Sequence, residues 1–196
     1  MFVKVCGLRT VETVDAAVDA GADAVGFVFA PGSVRLIEPA AAAELIARVP
    51  ERVETVGVFR GQPIDEVLRL ARASGVGTIQ LHGDEPGDHF VRAAAAGFRT
   101  IRAISAARYT ESGHGGDERL LIDATVPGSG ATFDPADLPV PPRADWLLAG
   151  GLRPDNVAAL IAAFGPSGVD VSSGVESAPG VKDPSLIRRF VAAARP

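Results

Sequence analysis

Three short stretches of this chain share one pattern, and that pattern restricts the fold more than any other feature. Gly21-Ala22-Asp23-Ala24-Val25, Gly75-Val76-Gly77-Thr78-Ile79 and Gly97-Phe98-Arg99-Thr100-Ile101 each follow an alanine-rich helical stretch. Each begins with a glycine where the helix should end, continues with one apolar residue and then enters a strand. Glycine takes the left-handed conformation that closes a helix, and the apolar residue after it packs back on the last turn. Repeated helix-to-strand units imply a parallel sheet with helices on its outer faces.

Extended to the whole chain, the pattern predicts strands at 2–6, 24–29, 53–59, 78–82, 99–104, 120–123, 145–149 and 168–172. Helices fit 10–20, 39–49, 63–73, 86–96, 154–163 and 183–194. Pro39, Pro63, Pro86, Pro154 and Pro184 fall at or near helix starts, where a missing N–H costs nothing. Asp183 is placed to cap the last helix, and Asp84 and Glu85 to cap the one begun at Pro86. After the fifth and sixth strands the helical signal fails: 105–119 and 124–144 are rich in Gly, Pro, Ser and Thr and hold at best a short helical turn. The expected fold is α/β, a single (β/α)8 TIM barrel with one or two degraded crossover helices after strands five and six. It would form one domain over residues 1–196. A doubly wound sheet is the alternative, but eight consecutive parallel strands in so few residues close more naturally than they stay open.

Charge and composition narrow the function. The net charge of −5, with only Lys4 and Lys182 as lysines among 19 basic residues, leaves no broad basic face for nucleic acid. The apolar run after Met1 is broken by Lys4 and too short for a signal peptide, and no segment is a spanning helix. One cysteine excludes an internal disulfide and fits a reducing compartment. A cytoplasmic protein without a membrane partner is expected. His82, His89 and His114 are not clustered with cysteine or acids, so no metal site is implied. No Rossmann, P-loop or serine-elbow motif occurs, and nothing asks for a nucleotide cofactor.

The strand ends hold the candidate chemistry, because in a parallel barrel the carboxyl ends of the strands carry the site. Lys4 and Cys6 share one face of the first strand, and Cys6 is either a small buried hydrophobe or a reactive thiol. Asp123 ends the sixth strand as a loop cap or a proton donor, and without a clear helix after it capping is the weaker explanation. Gln80 and His82 share the inward parity of the fourth strand, and His82 reads equally well as structural or as a ligand contact. Arg35 lies in the loop after the second strand and by itself reads as an exposed loop arginine. Gly150-Gly151 after the seventh strand and Ser172-Ser173-Gly174 after the eighth expose backbone N–H groups at the usual phosphate position of such barrels.

Taken together, the residues resemble the phosphoribosylanthranilate isomerase family of tryptophan biosynthesis. The matching pieces include Lys4-Val5-Cys6-Gly7-Leu8, Gly26-Phe27-Val28-Phe29-Ala30 with Ser33 and Arg35, and Gln80-Leu81-His82-Gly83-Asp84-Glu85. Further on are Leu121-Ile122-Asp123, Leu148-Ala149-Gly150-Gly151-Leu152, and Val169-Asp170-Val171-Ser172-Ser173-Gly174-Val175-Glu176 with Pro179-Gly180 and Lys182-Asp183. The resemblance implies a cofactor-free Amadori rearrangement of a small phosphorylated substrate by a monomer or homodimer. Cys6 would be the general base and Asp123 the general acid. Arg35 would hold the anthranilate carboxylate, Gln80 and His82 would contact substrate, and Gly150, Gly151, Ser172, Ser173 and Gly174 would hold the phosphate. A thiol base needs its pKa lowered by a cation, for which Lys4 is the expected source and Arg9 the alternative. The chain departs from the family pattern at Val34 and in the loop Pro127-Gly128-Ser129-Gly130 to Phe133-Asp134-Pro135. The related histidine-pathway isomerases use an aspartate where Cys6 stands, and a non-catalytic metabolite binder would lack Cys6 or Asp123.

Overall fold

The computed structural model describes residues 1–109, 117–123 and 145–195. Eight parallel strands form a closed barrel: β1 (Phe2–Cys6), β2 (Ala24–Val28), β3 (Glu54–Phe59), β4 (Thr78–Leu81), β5 (Arg99–Ser105), β6 (Arg119–Asp123), β7 (Trp146–Leu148) and β8 (Gly168–Val171). Each strand pairs with the next, and β8 returns to β1 with Val3 opposite Val169 and Lys4 opposite Asp170. Outside run α1 (Val11–Asp19), α2 (Pro39–Ile46), α3 (Ile64–Ser74), α4 (Gly87–Ala95), α5 (Val157–Phe164) and α6 (Pro184–Ala193). The strand and helix boundaries lie within one to three residues of those expected, and the sheet is closed rather than doubly wound.

The local causes are those read in the sequence. Gly21, Gly75 and Gly97 have φ of 88°, 78° and 90° and close α1, α3 and α4 in the left-handed region. Thr10 caps α1 through Oγ1, which accepts from the N–H of Thr13 at 3.3 Å. Asp183 caps α6, its Oδ1 accepting from Ser185 and Leu186 N–H groups at 2.7 and 3.2 Å. Asp84 and Glu85 do not cap α4, contrary to expectation. Glu85 instead turns inward and accepts from the Gly61 N–H at 2.7 Å, while Asp84 pairs with Arg108.

Strand alternation divides the core into two. Val3, Val5, Val25, Phe27, Ile79 and Ile122 face outward and pack with the helices in one large cluster. Ala24, Val56, Ile101, Leu121 and Leu147 face inward and fill the barrel itself. Lys4 and Cys6 share the inward parity, so the first strand presents its polar groups to the barrel interior and its valines to the helices.

After β5 the described residues form a 3-10 turn, Ala106–Arg108, and 110–116 lie outside the described residues. The segment 124–144, with its Pro127–Pro135 loop and expected degraded helix, lies outside the described residues, as does His114. After β8 the chain forms a short antiparallel hairpin, β9 (Glu176–Ala178) and β10 (Val181–Lys182), that the sequence reading missed. Strands of two and three residues are too short for any periodicity to show. Among the described residues no helix is long and apolar enough to cross a membrane, and no group of three or more His, Cys, Asp or Glu is placed to hold a metal ion.

Candidate active site

At the carboxyl ends of the strands a cavity of about 340 Å³ opens between the loops. Cys6 of β1, Gln80 of β4 and Asp123 of β6 line it from the barrel, with His82 directly after β4. Arg35 reaches it from the β2–α2 loop, Gly150 and Gly151 from the turn after β7, and Ser172 and Ser173 from the turn after β8. Nine of the ten residues singled out in the sequence therefore meet in one place. Gly174 is the exception and is not among the residues that line the cavity. A Cβ built on Gly174 would lie 1.7 Å from the Leu152 carbonyl oxygen, so a side chain there would force the two turns apart. Its lack of a side chain permits the close approach of the β7 and β8 turns.

Space for the thiol is made by the neighbouring strand. Gly26 sits opposite Cys6 in the β1–β2 register, and a Cβ on it would fall 2.9 Å from Cys6 Sγ. Gly7, with φ of 79°, turns the chain out of β1. The Arg35 stem crosses it so closely that a Cβ there would be 2.8 Å from Arg35 Cδ.

The electrostatics of Cys6 differ from the expectation. Burial is the largest influence and raises the thiol above its usual value. Lys4 and Lys182 pull it down, while Asp170 pushes it further up. Lys4 is fully buried and donates to Asp170 Oδ1 at 2.8 Å, so much of its field is spent on that carboxylate. Burial by itself disfavours the charged form of Lys4, but the adjoining Asp170 and Cys6 outweigh it and raise the ammonium's pKa above its ordinary value. Arg9, the alternative cation, is exposed and donates to the Val34 carbonyl at 2.8 Å.

Across the cavity, Asp123 Oδ2 lies 3.2 Å from His82 Nε2, and His82 Nδ1 lies 3.2 Å from Gln80 Nε2. Gln80 is buried and its amide nitrogen, as placed, can only donate to His82 Nδ1, an arrangement that puts the ring hydrogen on Nε2, facing Asp123. His82 is thus fixed in orientation from behind and aimed at the carboxyl group. Parity in β4 brings Gln80 and His82 to the same wall, whereas their meeting with Asp123, 41 residues on, needs the closed barrel.

Arg35 is not a free loop arginine. Its Nε and Nη2 donate to Glu176 Oε1 and Oε2 at 2.7 and 2.9 Å, a bidentate pair that fixes the guanidinium plane. The end-on edge, Nη1 with the second hydrogen of Nη2, remains for a ligand. Glu176 also accepts from Lys182 at 2.7 Å and from the Gly180 N–H at 3.1 Å. Burial opposes its charge, yet Arg35, Lys182 and Gly180 hold the carboxyl down to about 2. Glu176, Lys182 and Asp170 were assigned no role from sequence. For Asp170 a signal existed, an acid of inward parity in an otherwise apolar strand. Glu176 and Lys182 gave none, because only the hairpin brings them together.

A depressed carboxyl stabilises the folded state fully above its ordinary value near 4.5, and that contribution is lost as pH falls through about 2. Glu176→Gln is therefore expected to flatten the fall in unfolding free energy between those pH values. Denaturant titrations of both proteins across this range measure it, and parallel curves would remove the Arg35–Glu176–Lys182 cluster from the account.

The turn after β7 uses left-handed glycines, with φ of 90° at Gly150 and 63° at Gly151. Asn156 staples it, donating from Nδ2 to the Gly151 carbonyl at 3.0 Å and accepting from the Arg153 N–H at 2.7 Å. Beside it, Ser172 Oγ donates to the Cys6 carbonyl at 3.3 Å. Two turns without bulky side chains thus stand together at the mouth, suited to an anion.

Residues 3–193 match the sequence model of a family described as N-(5'phosphoribosyl)anthranilate (PRA) isomerase. An N-(5'-phosphoribosyl)anthranilate isomerase of Deinococcus radiodurans is 42% identical over 202 residues, covering 98% of this chain and 96% of the relative. The crystal structure of TrpF from Jonesia denitrificans superposes with a TM-score of 0.90 at 48% identity, over 100% of this chain and 97% of that one. A phosphoribosyl anthranilate isomerase solved in complex with reduced 1-(o-carboxyphenylamino)-1-deoxyribulose 5-phosphate superposes at 0.82 with 33% identity, covering 100% of this chain and 98% of the other.

Proposed function

The chain belongs to the N-(5'-phosphoribosyl)anthranilate isomerase family, and from that premise we propose which of its groups carry the reaction. It is an isomerase of tryptophan biosynthesis, acting on N-(5'-phosphoribosyl)anthranilate by an Amadori rearrangement to 1-(2-carboxyphenylamino)-1-deoxyribulose 5-phosphate. One observation carries the assignment of roles. Cys6 and Asp123 line the same cavity, between an arginine fork and two turns built to receive an anion.

The phosphate sits against the Gly150–Gly151 and Ser172–Ser173 turns, and the anthranilate carboxylate meets the end-on edge of Arg35. Asp123, protonated, donates to the ribose ring oxygen. The C1′–O bond breaks, the nitrogen lone pair forms the C1′=N bond, and the opened sugar is a protonated Schiff base. The Asp123 carboxylate left behind accepts from His82 Nε2, already held at Oδ2. Cys6, as thiolate, removes the proton on C2′, and the electron pair neutralises the nitrogen to give an enolamine. Return of a proton to C1′ and loss of one from the C2′ hydroxyl complete the ketone. Each of the two proton transfers is general acid or base catalysis by a positioned side chain.

Every group named comes from one chain, so a monomer and a homodimer would each carry a complete site. A thiol that must stay reduced to act as a base fits the cytoplasm. We read residues 1–196 as one domain, because the cavity draws on strands from both ends of the chain.

Adding the purified protein to freshly formed N-(5'-phosphoribosyl)anthranilate is expected to make the fluorescence of that anthranilate decay faster than its spontaneous breakdown. Decay at the spontaneous rate would overturn the assignment. Arg35→Ala is expected to raise KM more than it lowers kcat, by about ten- to a hundredfold for a lost charge-assisted contact of about 1.5–3 kcal/mol. Affinity for a substrate analogue without the carboxylate separates the cases. An equal loss there would mean that Arg35 does not hold the carboxylate.

A further inference from the structure

We propose that Lys182 is a positioning residue for this isomerisation, tying the Arg35 guanidinium, the turn after β8 and the Cys6 end of β1 into one rigid unit. The proposal rests on the roles given above to Arg35 and Cys6. Lys182 lies on the short strand β10, 8% exposed, with its Nζ directed inward. It donates to Glu176 Oε1 at 2.7 Å, to the Ser172 carbonyl at 2.9 Å and to Ser172 Oγ at 3.1 Å. Three acceptors around one nitrogen need three hydrogens, which an ammonium has and a neutral amine lacks.

Each contact leads to a different part of the site. Through Glu176 it reaches Arg35, whose Nε and Nη2 are held by that carboxylate. Through the Ser172 carbonyl it fixes the turn offered to the phosphate. Through Ser172 Oγ, which passes its own hydrogen to the Cys6 carbonyl at 3.3 Å, it reaches the end of β1. Nζ also lies 3.4 Å from where a Cβ on Gly7 would stand, beside the residue that follows Cys6. A substrate with a carboxylate at one end and a phosphate at the other needs those two receivers at a fixed separation. Lys182 bridges the elements that carry them, β10, the β8 turn and, through Glu176, the β2–α2 loop.

The same ammonium acts on the thiol. The charged groups facing Cys6 are Lys4 on its own strand, Asp170 on β8, Arg35 from the β2–α2 loop and Lys182 from β10. With Lys4 committed to Asp170, Lys182 is the second positive charge favouring the thiolate. Its removal therefore moves the thiol up and its replacement by another cation does not.

The test compares wild type, Lys182→Met and Lys182→Arg in two measurements, steady-state kinetics against pH and the rate of Cys6 alkylation by iodoacetamide against pH. Lys182→Met is expected to raise KM on the order of 10- to 100-fold with a smaller change in kcat. It is also expected to move the rising limb of both pH profiles to higher pH. Lys182→Arg keeps the charge but not the three-way geometry, so its limb stays near that of wild type while KM rises. Wild-type KM and limbs in folded Lys182→Met would reduce Lys182 to an anchor of the hairpin and overturn the proposal. If circular dichroism shows Lys182→Met unfolded, Lys182→Arg decides alone: an unchanged KM, or a limb displaced upward, overturns it. Alkylation needs no substrate, so a wild-type protein that fails to turn over N-(5'-phosphoribosyl)anthranilate would refute the assigned reaction without obscuring the effect of Lys182 on Cys6.

Discussion

Cys6→Ser and Asp123→Asn should each fold, each bind a reduced product analogue and each lose about 10²–10⁴-fold in kcat, the usual cost of removing one general acid or base. Serine keeps the shape that Gly26 makes room for but offers a hydroxyl far too weakly acidic to abstract the C2′ proton. Asparagine keeps the size of Asp123 and can still bond His82, but has no proton to give the ring oxygen. The wild-type pH profile carries the sign of the Cys6 shift. Burial raises the thiol, and only the thiolate is a base, so kcat/KM climbs with pH through the thiol's titration, on the alkaline side of an ordinary thiol. Because Cys6, Lys4 and Asp170 share one field, that limb reports the cluster and not one residue. Single-turnover rates and analogue titrations measure both parts. Near-normal turnover by either variant would show that the acid and base have been misassigned.

Lys4→Met should destabilise the fold by about 3–5 kcal/mol, because it leaves the Asp170 carboxylate buried without its cation. Lys4 has no exposed surface, and its ammonium meets Asp170 Oδ1 at 2.8 Å inside the barrel, where water cannot replace it. Burial already pushes Asp170 upward, and Lys4 is the first influence opposing that. The protein's remaining escape is to protonate Asp170, so the loss should shrink as pH is lowered. The double variant Lys4→Met/Asp170→Leu should regain much of the stability, since a well-packed apolar pair often replaces a buried ion pair at little cost. Chemical denaturation of the two single variants and the double variant gives the coupling directly. Additive losses would mean that the two side chains do not depend on each other.

The two sets of variants also separate the two jobs of β1. Cys6 carries chemistry at the strand's end, while Lys4, one inward layer below, closes the barrel seam against β8. Sequence parity placed both on the same face and suggested that Lys4 serves the thiol. Only the closure of the barrel shows that Asp170 stands opposite and shares that charge with the thiol.

What the sequence determined by itself is local or periodic. Glycine at 21, 75 and 97 ends its helix whatever surrounds it, because φ near 80–90° is open to glycine and costly for other residues. Alternation in β1 and β4 fixed which side chains turn inward, and the order of the strand ends put Cys6, Asp123 and the two anion-receiving turns at one mouth. Tertiary structure decided the rest. Glu85 looked like a helix cap by position, but its side chain is buried and its carboxylate accepts from the Gly61 N–H across the loop, 24 residues away, instead. Arg35 looked exposed until the hairpin carrying Glu176, 141 residues away, closed over it. The net rise in the Cys6 pKa could not be read from residue types at all. It depends on how deeply the thiol is buried and on which of its charged neighbours are already paired, quantities set only when distant strands meet.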